Sequence, residues 1–424
     1  MKQRTKVAAT VGAATVGAAT VLLGAKSIAA NAAAANQANE PVPMKDVYPV
    51  VFIHGMFGWG AGEGLNHIAP YFGATTGSLT KYLTGLGYAC YESSVGPFSS
   101  AWDRACELYA QLAGTVVDYG KAHAQQHGHA RFGRTYETPL FEGWGTEKAS
   151  KIHLIGHSYG GTTARVLAHL LTYGSEAEQT AAGDTVSGLF TGGQEHLISS
   201  ITAICTPHSG STAYFVAKEK NLMTPIEQVS YNYAGIVSRT PLNGKLVDFH
   251  MEQFGLTNTP GKKDAQKIHD AIEEVLESGD SVKQGLEPEG AALLNEYLEI
   301  SPNIYYFSYV YDCTGQNGEG FAKVSPPDCD LPLMRVTAQM IVNERHAAGE
   351  NTCNDGLVNV FSAQAPEDEP SCPFDSEHIQ PGIWNVMPIR RGDHGTPIGL
   401  LAKKDETHAL YEEILANAGK VQAE

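Results

Sequence analysis

A serine between two glycines is the first residue whose surroundings suggest covalent chemistry. The segment Gly156-His157-Ser158-Tyr159-Gly160 matches the pattern G-x-S-x-G. An apolar, strand-like run precedes it and a helix-compatible run follows it, which is the setting in which such a serine sits in a strained strand-to-helix turn. The pattern predicts that Ser158 is a nucleophile in acyl transfer; the alternative is an ordinary strand–turn–helix connection.

A glycine-bearing loop after an early apolar run could complete such a site. Residues 48–53 form the run, and His54-Gly55-Met56-Phe57-Gly58 follows it. In folds with a serine elbow, one oxyanion-binding amide comes from this loop and another from the residue after the nucleophile. We therefore predict the amides of Met56 and Tyr159 as the donors of an oxyanion hole; the alternative is a loop that only turns the chain.

The nucleophile also needs a base, and an acid that orients the base, in the chain order Ser, Asp, His. Asp355 precedes an apolar run, and His394 follows the last strand-like segment, residues 384–389. His378 is a serious rival for the base. The residues alone leave the choice between His378 and His394 open.

Strand-like and helical runs alternate along the chain. Apolar strands are predicted at residues 48–53, 152–155, 197–205 and 304–311, and helical spacing occurs within residues 101–125 and 162–171. Apolar strands separated by helices indicate a mostly parallel central sheet with helices on both faces. The prediction is one α/β domain spanning residues 48–424.

An insertion of about residues 213–285 does not fit this alternation. Residues 213–260 are apolar and rich in aromatics, and residues 262–278 predict an amphipathic helix whose apolar face carries Ile268, Ile272, Val275 and Leu276. We expect this insertion to lie over the carboxyl edge of the sheet, where a mobile lid would sit.

The N-terminal segment differs from the rest of the chain. Residues 1–36 carry Lys2, Arg4 and Lys6, then a weakly apolar run, then an Ala-rich stretch. This order is typical of a secretory signal peptide, and residues 37–47 would form a linker. The prediction is a secreted, extracellular protein; an uncleaved anchor or a disordered tail is the alternative.

Charge and cysteine content narrow the classes of partner. The net charge of −17 argues against a nucleic-acid partner and against anionic membranes. Seven cysteines are present, so at least one is unpaired within the chain. In an exported protein Cys313–Cys329 and Cys353–Cys372 are plausible staples of the late loops, but the sequence does not fix the pairing.

Several long strings of the sequence carry a family resemblance. They are VGPFSSAWDRACE at residues 95–107, DYGKAHAQQHGHARFGRTY at residues 118–136, the serine elbow, TPHSG at residues 206–210 and NDGLVN at residues 354–359. The chain resembles the thermoalkalophilic lipases of Gram-positive bacteria, a group that includes the staphylococcal lipases. The resemblance implies an α/β-hydrolase fold with a helical lid, and a triad of Ser158, Asp355 and His394.

The resemblance also implies a zinc site formed by Asp103, His123, His129 and Asp280. Two imidazoles and two carboxylates make a closed set of ligands that suits a structural zinc ion. Zinc would tie the inserted helices to the core as a small extra subdomain, with His127 outside the site. The alternative is a His-rich helix end that is merely solvated.

Two departures from the family pattern bear on cofactor and substrate. Family members bind calcium through carboxylates shortly after the catalytic His, whereas here no acid follows His394 before Asp405. Calcium binding is therefore left open. Met56 and Tyr159 stand where the family has Phe and Gln; backbone amides survive such changes, but the acyl preference is left open.

The residues and the resemblance together predict a lipase-like enzyme that hydrolyses carboxylic esters of the acylglycerol type. Apolar esters would enter when the lid moves, with transient lid contact at a lipid interface. The alternatives are a short-chain carboxylesterase or polyesterase, an acyltransferase, and a non-catalytic surface-binding protein on a hydrolase scaffold. The sequence does not determine the oligomeric state.

Overall fold

A computed structural model describes residues 45–214, 247–255, 274–276, 278–316, 322–325, 328–343 and 352–422. The predicted signal segment and most of the predicted lid, including Ile268 and Ile272, lie outside the described residues. Within the described ranges, no helix combines the length and the apolar character that a membrane span requires.

The described residues alternate between strands and helices. The strands are β1 (Val50–Ile53), β2 (Cys90–Glu92), β3 (Val116–Asp118), β4 (Phe132–Thr135), β5 (Ile152–His157), β6 (Ile198–Ile204), β7 (Tyr305–Tyr309), β8 (Tyr311–Asp312), β9 (Thr314–Gln316), β10 (Ala322–Val324), β11 (Ser371–Pro373), β12 (Trp384–Val386) and β13 (Arg390–Arg391). The α-helices are α1 (Gly64–Ile68), α2 (Leu79–Gly85), α3 (Ala101–Ala113), α4 (Lys121–His127), α5 (Tyr159–Tyr173), α6 (Glu176–Ala182), α7 (Val282–Leu286), α8 (Pro288–Tyr297), α9 (Pro332–Asn343), α10 (Val360–Gln364) and α11 (Lys404–Gln422).

Seven strands form the central sheet in the order β11-β12-β7-β6-β5-β1-β2. Every neighbouring pair is parallel. β5 lies between β1 and β6, with Ile155 opposite Phe52 on one side and Thr202 on the other. Because the carboxyl ends of parallel strands lie at one edge, the segments that follow β1, β5 and β7 meet there. The predicted α/β class is confirmed.

Alternate residues of each central strand face opposite sides of the sheet. In β1, Val51 and Ile53 belong to one buried cluster, whereas Val50 and Phe52 belong to the other. The first cluster includes apolar side chains of α3 and α5, and the second includes those of α2 and α11. Burial on both faces explains why these strands are continuous apolar runs in the sequence.

Residues 101–125 do not form the single helix that their apolar spacing suggested. α3 ends at Ala113 because Gly114 adopts a φ of 64°, the left-handed conformation that closes a helix. Val116, which lies within the stretch of helical spacing, begins strand β3. The strand predicted at residues 384–389 is also shorter than expected and ends at Val386.

Candidate active site

Ser158 occupies a sharp turn between β5 and α5. Its φ of 56° and ψ of −129° are unfavourable for a residue with a side chain, and its amide is held by the carbonyl of Ile204 at 2.8 Å. A Cβ on Gly156 would come within 2.4 Å of the Gly160 backbone, and one on Gly160 within 2.2 Å of the Ile53 carbonyl oxygen. Gly156 is therefore required for β5 to pass close to the start of α5, and Gly160 is required for the turn to pack against β1.

The loop after β1 lies directly against the serine. A Cβ on Gly55 would lie 2.8 Å from the Cβ of Ser158. Among the described residues, the amides of Met56 and Tyr159 donate no backbone hydrogen bond apart from any within a regular helix or strand. The two predicted oxyanion donors thus belong to the two segments that flank Ser158, and Tyr159 is the first residue of α5.

A buried arginine, which the sequence analysis missed, holds the same loop in place. Arg104 donates hydrogen bonds to the carbonyls of His54 and Gly96 and, over 2.8 Å, to Thr163 Oγ1. Burial lowers the pKa of Arg104 to about 10, so it remains charged at neutral pH. No local sequence pattern marks this residue, because its three partners come from separate segments.

Asp355 and His394 form a buried pair. Asp355 Oδ2 lies 2.7 Å from His394 Nδ1, while its Oδ1 accepts the amides of Leu357 and Val358 at 2.9 and 2.8 Å. The Asp355 side chain is fully buried. A carboxylate held in this way can orient an imidazole and stabilise its charged form.

The rival histidine lies in a different environment. His378 is exposed, and its Nδ1 lies 3.0 Å from the carboxylate of Asp375, three residues earlier in the chain. His394, in contrast, is tied to the serine elbow, because its carbonyl oxygen lies 3.0 Å from Nε2 of His157 and the two rings lie 4.8 Å apart. The structure thus brings His394, Asp355 and the Ser158 turn together and leaves His378 on the surface.

The four predicted zinc ligands converge at a second place. One potential ligand atom from each of Asp103, His123, His129 and Asp280 lies within 4.8 Å of all the others. His123 Nε2 lies 3.2 Å from Asp103 Oδ1, and Asp280 Oδ2 lies 3.2 Å from Nε2 of both histidines. The side chains of Asp103, His129 and Asp280 are at most 2 % exposed.

The surroundings of this cluster orient the ligand atoms. His129 Nδ1 donates to the carbonyl of Ala130 at 2.9 Å, which leaves the Nε2 lone pair facing the cluster. Gln253 donates to Asp103 Oδ2 at 2.9 Å, and Trp102 stacks on His123. Asp103 Oδ1 and His129 Nε2 are buried without a hydrogen-bond partner in the described structure, as expected of atoms that face a metal ion.

The loop before His394 contains an acidic residue whose two carboxylate oxygens both accept hydrogen bonds from the protein. Asp393 Oδ1 accepts the amide of Gly395 and the hydroxyl of Thr396, and Oδ2 accepts the amide of Leu331 at 2.9 Å. Asp312 is bound by Arg391 at 2.8 Å. These described carboxylates are committed to protein groups, and they do not fit a calcium site.

All seven cysteines are free thiols in this structure. Cys106 and Cys205 are buried, whereas Cys90 is only partly buried. Cys205 lies close to the Asp355–His394 pair, with its sulfur within 4.8 Å of a carboxylate oxygen of Asp355 and of a ring nitrogen of His394. Burial and the Asp355 carboxylate raise the pKa of Cys205, so this cysteine remains a neutral thiol.

The parallel sheet, the serine turn after β5 and the buried Asp–His pair at the carboxyl edge define the α/β-hydrolase fold. The chain belongs to the family described as the lipase-like, C-terminal domain, whose model matches residues 46–419. The predicted resemblance is thereby confirmed.

Individual relatives agree with this assignment. The chain is 35% identical over 387 residues to a lipase of Staphylococcus hyicus, covering 88% of this chain and 56% of the relative. It is 32% identical to lipase 2 of Staphylococcus aureus, covering 86% and 52%. The chain thus spans about half the length of the curated relatives it matches.

Solved structures share the fold. The crystal structure of Staphylococcus hyicus lipase matches with a TM-score of 0.76 at 32% identity, covering 92% of this chain and 99% of that one. The structure of EstA from Clostridium botulinum matches with a TM-score of 0.74 at 32% identity, covering 90% and 89%.

Proposed function

We propose that this protein is a serine hydrolase of carboxylic esters. The observation that carries the proposal is the strained Ser158 in its strand-to-helix turn, next to the buried Asp355–His394 pair. In this role Ser158 attacks the ester carbonyl while His394 takes its proton and then gives it to the leaving alcohol. Water then attacks the acyl-enzyme while His394 takes its proton, and His394 gives that proton to Ser158 Oγ as the bond to the acyl group breaks and the acid leaves.

The amides of Met56 and Tyr159 would stabilise the negative charge that develops on the carbonyl oxygen. Their position beside Ser158, at the loop after β1 and at the start of α5, supports this role. The helix N-terminus adds a favourable dipole. Both donors are backbone groups, so the change from the family's usual residues at these positions leaves them available.

The substrate class we infer is apolar esters of the acylglycerol type, since the relatives are named lipases. The second candidate is a carboxylesterase acting on short chains or a polyesterase, because the same nucleophile, acid and base on this fold would serve either class of ester. The insertion of about residues 213–285 is proposed to act as the lid and to make transient contact with lipid. Export, guided by residues 1–36, would bring the enzyme to such substrates.

The test is hydrolysis of p-nitrophenyl esters of increasing acyl length by wild type and Ser158→Ala. Cleavage of long chains, lost in Ser158→Ala, supports a lipase, and cleavage confined to short chains supports the carboxylesterase. If added alcohol changes the main product from the free acid to a new ester of that alcohol, the protein would instead be an acyltransferase. A folded wild type without activity would contradict the proposal and leave the surface-binding alternative.

We further propose that Asp103, His123, His129 and Asp280 hold a structural zinc ion. The set fits zinc because two imidazole nitrogens and two carboxylates converge, and two of the converging atoms, Asp103 Oδ1 and His129 Nε2, are buried without a hydrogen-bond partner in the described structure. When bound, zinc would supply a cross-link between α3, α4 and the segment that leads into α7. It would take no part in the ester chemistry.

A further inference from the structure

A continuous chain of hydrogen bonds joins the proposed oxyanion loop to the proposed base. The amide of Gly55 lies 3.0 Å from Tyr71 Oη, which lies 2.8 Å from His157 Nδ1. On the other side of the ring, His157 Nε2 lies 3.0 Å from the carbonyl oxygen of His394. Since Gly55 precedes Met56 and His157 precedes Ser158, these hydrogen bonds link the backbone segments that carry the proposed loop donor, the proposed nucleophile and the proposed base.

The chemistry of the groups allows one arrangement of hydrogens in this chain. The carbonyl of His394 can only accept, so His157 Nε2 must carry a proton and donate it. In a neutral imidazole Nδ1 then accepts from the hydroxyl of Tyr71, and the Tyr71 oxygen accepts the amide of Gly55. Burial, followed by the nearby His394, holds the pKa of His157 well below its usual range, so the ring stays neutral.

The chain is also sterically confined. His157 is 1% exposed and Tyr71 is 8% exposed. The Tyr71 ring packs edge-on against Trp59 and Phe72, with ring centroids 5.6 and 5.1 Å away. A Cβ on Gly55 would meet Tyr71 Oη at 2.9 Å, so the loop can approach the hydroxyl only because this residue is glycine.

We propose that Tyr71 and His157 are positioning residues that fix the oxyanion loop and the His394 backbone relative to each other across Ser158. The inference rests on the ester-hydrolase function proposed above. This chain of hydrogen bonds is neutral and moves no proton during the reaction. Its effect is geometric, and a misplacement of about 1 Å at such a site can cost on the order of a hundredfold in rate.

The test measures kcat and KM for a p-nitrophenyl ester with Tyr71→Phe, His157→Leu and the double variant. Each single variant should lower kcat by roughly ten- to a hundredfold and change KM by less than about threefold, because binding is retained while alignment is lost. The kcat of the double variant should be no lower than that of the worse single variant, since either change breaks the same chain of hydrogen bonds. His157→Gln, which can both donate and accept, should recover part of kcat.

Tyr411→Phe is the matched control. This tyrosine is fully buried in the same apolar cluster, but its hydroxyl has no partner in the described structure. Tyr411→Phe should retain the wild-type kcat. The melting temperature of each variant is measured to check that it is folded.

Two results separate this proposal from the one on which it rests. Suppose that the wild type is active and that Tyr71→Phe and His157→Leu each keep the wild-type kcat, or that their separate losses in activation free energy add up in the double variant. Either result contradicts only the positioning role and leaves the proposed ester hydrolysis standing. A folded but inactive wild type contradicts both proposals.

Discussion

Asp355 and His394 are joined twice, once through their side chains and once through their backbones. The carboxylate and the imidazole Nδ1 lie 2.7 Å apart, and the amide of His394 donates to the carbonyl oxygen of Asp355 over 2.7 Å. The double link fixes the ring relative to the acid. The imidazole is therefore preorganised, and little reorganisation would be needed for it to accept a proton in the proposed reaction.

Asp355→Asn tests how much the Asp355 carboxylate contributes to kcat through its contact with His394. The amide can still accept from Leu357 and Val358, so the fold should persist, but it no longer stabilises a charged imidazole. We expect kcat to fall by about 10³- to 10⁴-fold with little change in KM. His378→Gln, at the rival histidine on the surface, should leave kcat unchanged. A large loss in His378→Gln with an active Asp355→Asn would reverse the assignment.

Removal of metal should destabilise the protein. Dialysis against EDTA should lower the melting temperature, and zinc should restore it whereas calcium should not, because the described carboxylates near His394 are already bound by protein groups. Asp280→Asn should lower the melting temperature of the metal-loaded protein and abolish the response to EDTA.

His127→Gln is the matched control for the metal site. The His127 ring lies 4.5 Å from that of His123, yet it is not among the converging ligands. It should retain both the melting temperature and one zinc per chain by elemental analysis. Elemental analysis without zinc in wild type would refute the site.

Gly160→Ala should destabilise the elbow. The new Cβ would lie 2.2 Å from the carbonyl oxygen of Ile53, a backbone atom that cannot move without disturbing β1. We expect the free energy of unfolding to fall by about 1–3 kcal/mol or more. Gly85→Ala is the control, because nothing lies within 4 Å of its added Cβ. Equal denaturation midpoints for the two variants would contradict the close packing of the elbow.

A buried histidine away from the site should make stability depend on pH. Burial lowers the pKa of His153 to about 4. Between its ordinary pKa of about 6.5 and this value the unfolded chain binds the extra proton, so stability falls as pH falls through that window. The loss from this group is at most roughly 3 kcal/mol.

The measurement is the free energy of unfolding between pH 7 and 4 for wild type and His153→Gln. The slope of the variant should be smaller by up to about 1.4 kcal/mol per pH unit. Because zinc loss and the other buried histidines affect both proteins, the difference isolates His153. Parallel curves would show that His153 binds a proton as readily in the folded protein as in the unfolded chain, which contradicts the lowered pKa.

The sequence predicted the parts of this molecule that depend on local pattern. Apolar runs gave the central strands because both faces of a parallel sheet are buried, and the spaced glycines gave the turn at Ser158. The residues could not choose between His378 and His394, because that choice depends on which loop returns to the sheet edge. Arg104 and Tyr71 were missed for the same reason, since each contacts segments distant in sequence. Gly114 was a local signal for the end of α3 that the apolar spacing obscured.

The most direct test of the central claim is covalent labelling with a p-nitrophenyl alkylphosphonate, followed by peptide mass spectrometry. A reactive serine attacks phosphorus, releases p-nitrophenol and retains the phosphonyl group. We predict one adduct per chain, on Ser158, formed in step with loss of esterase activity and absent from Ser158→Ala. An adduct on another residue, or loss of activity without modification of Ser158, would contradict the assignment of the nucleophile.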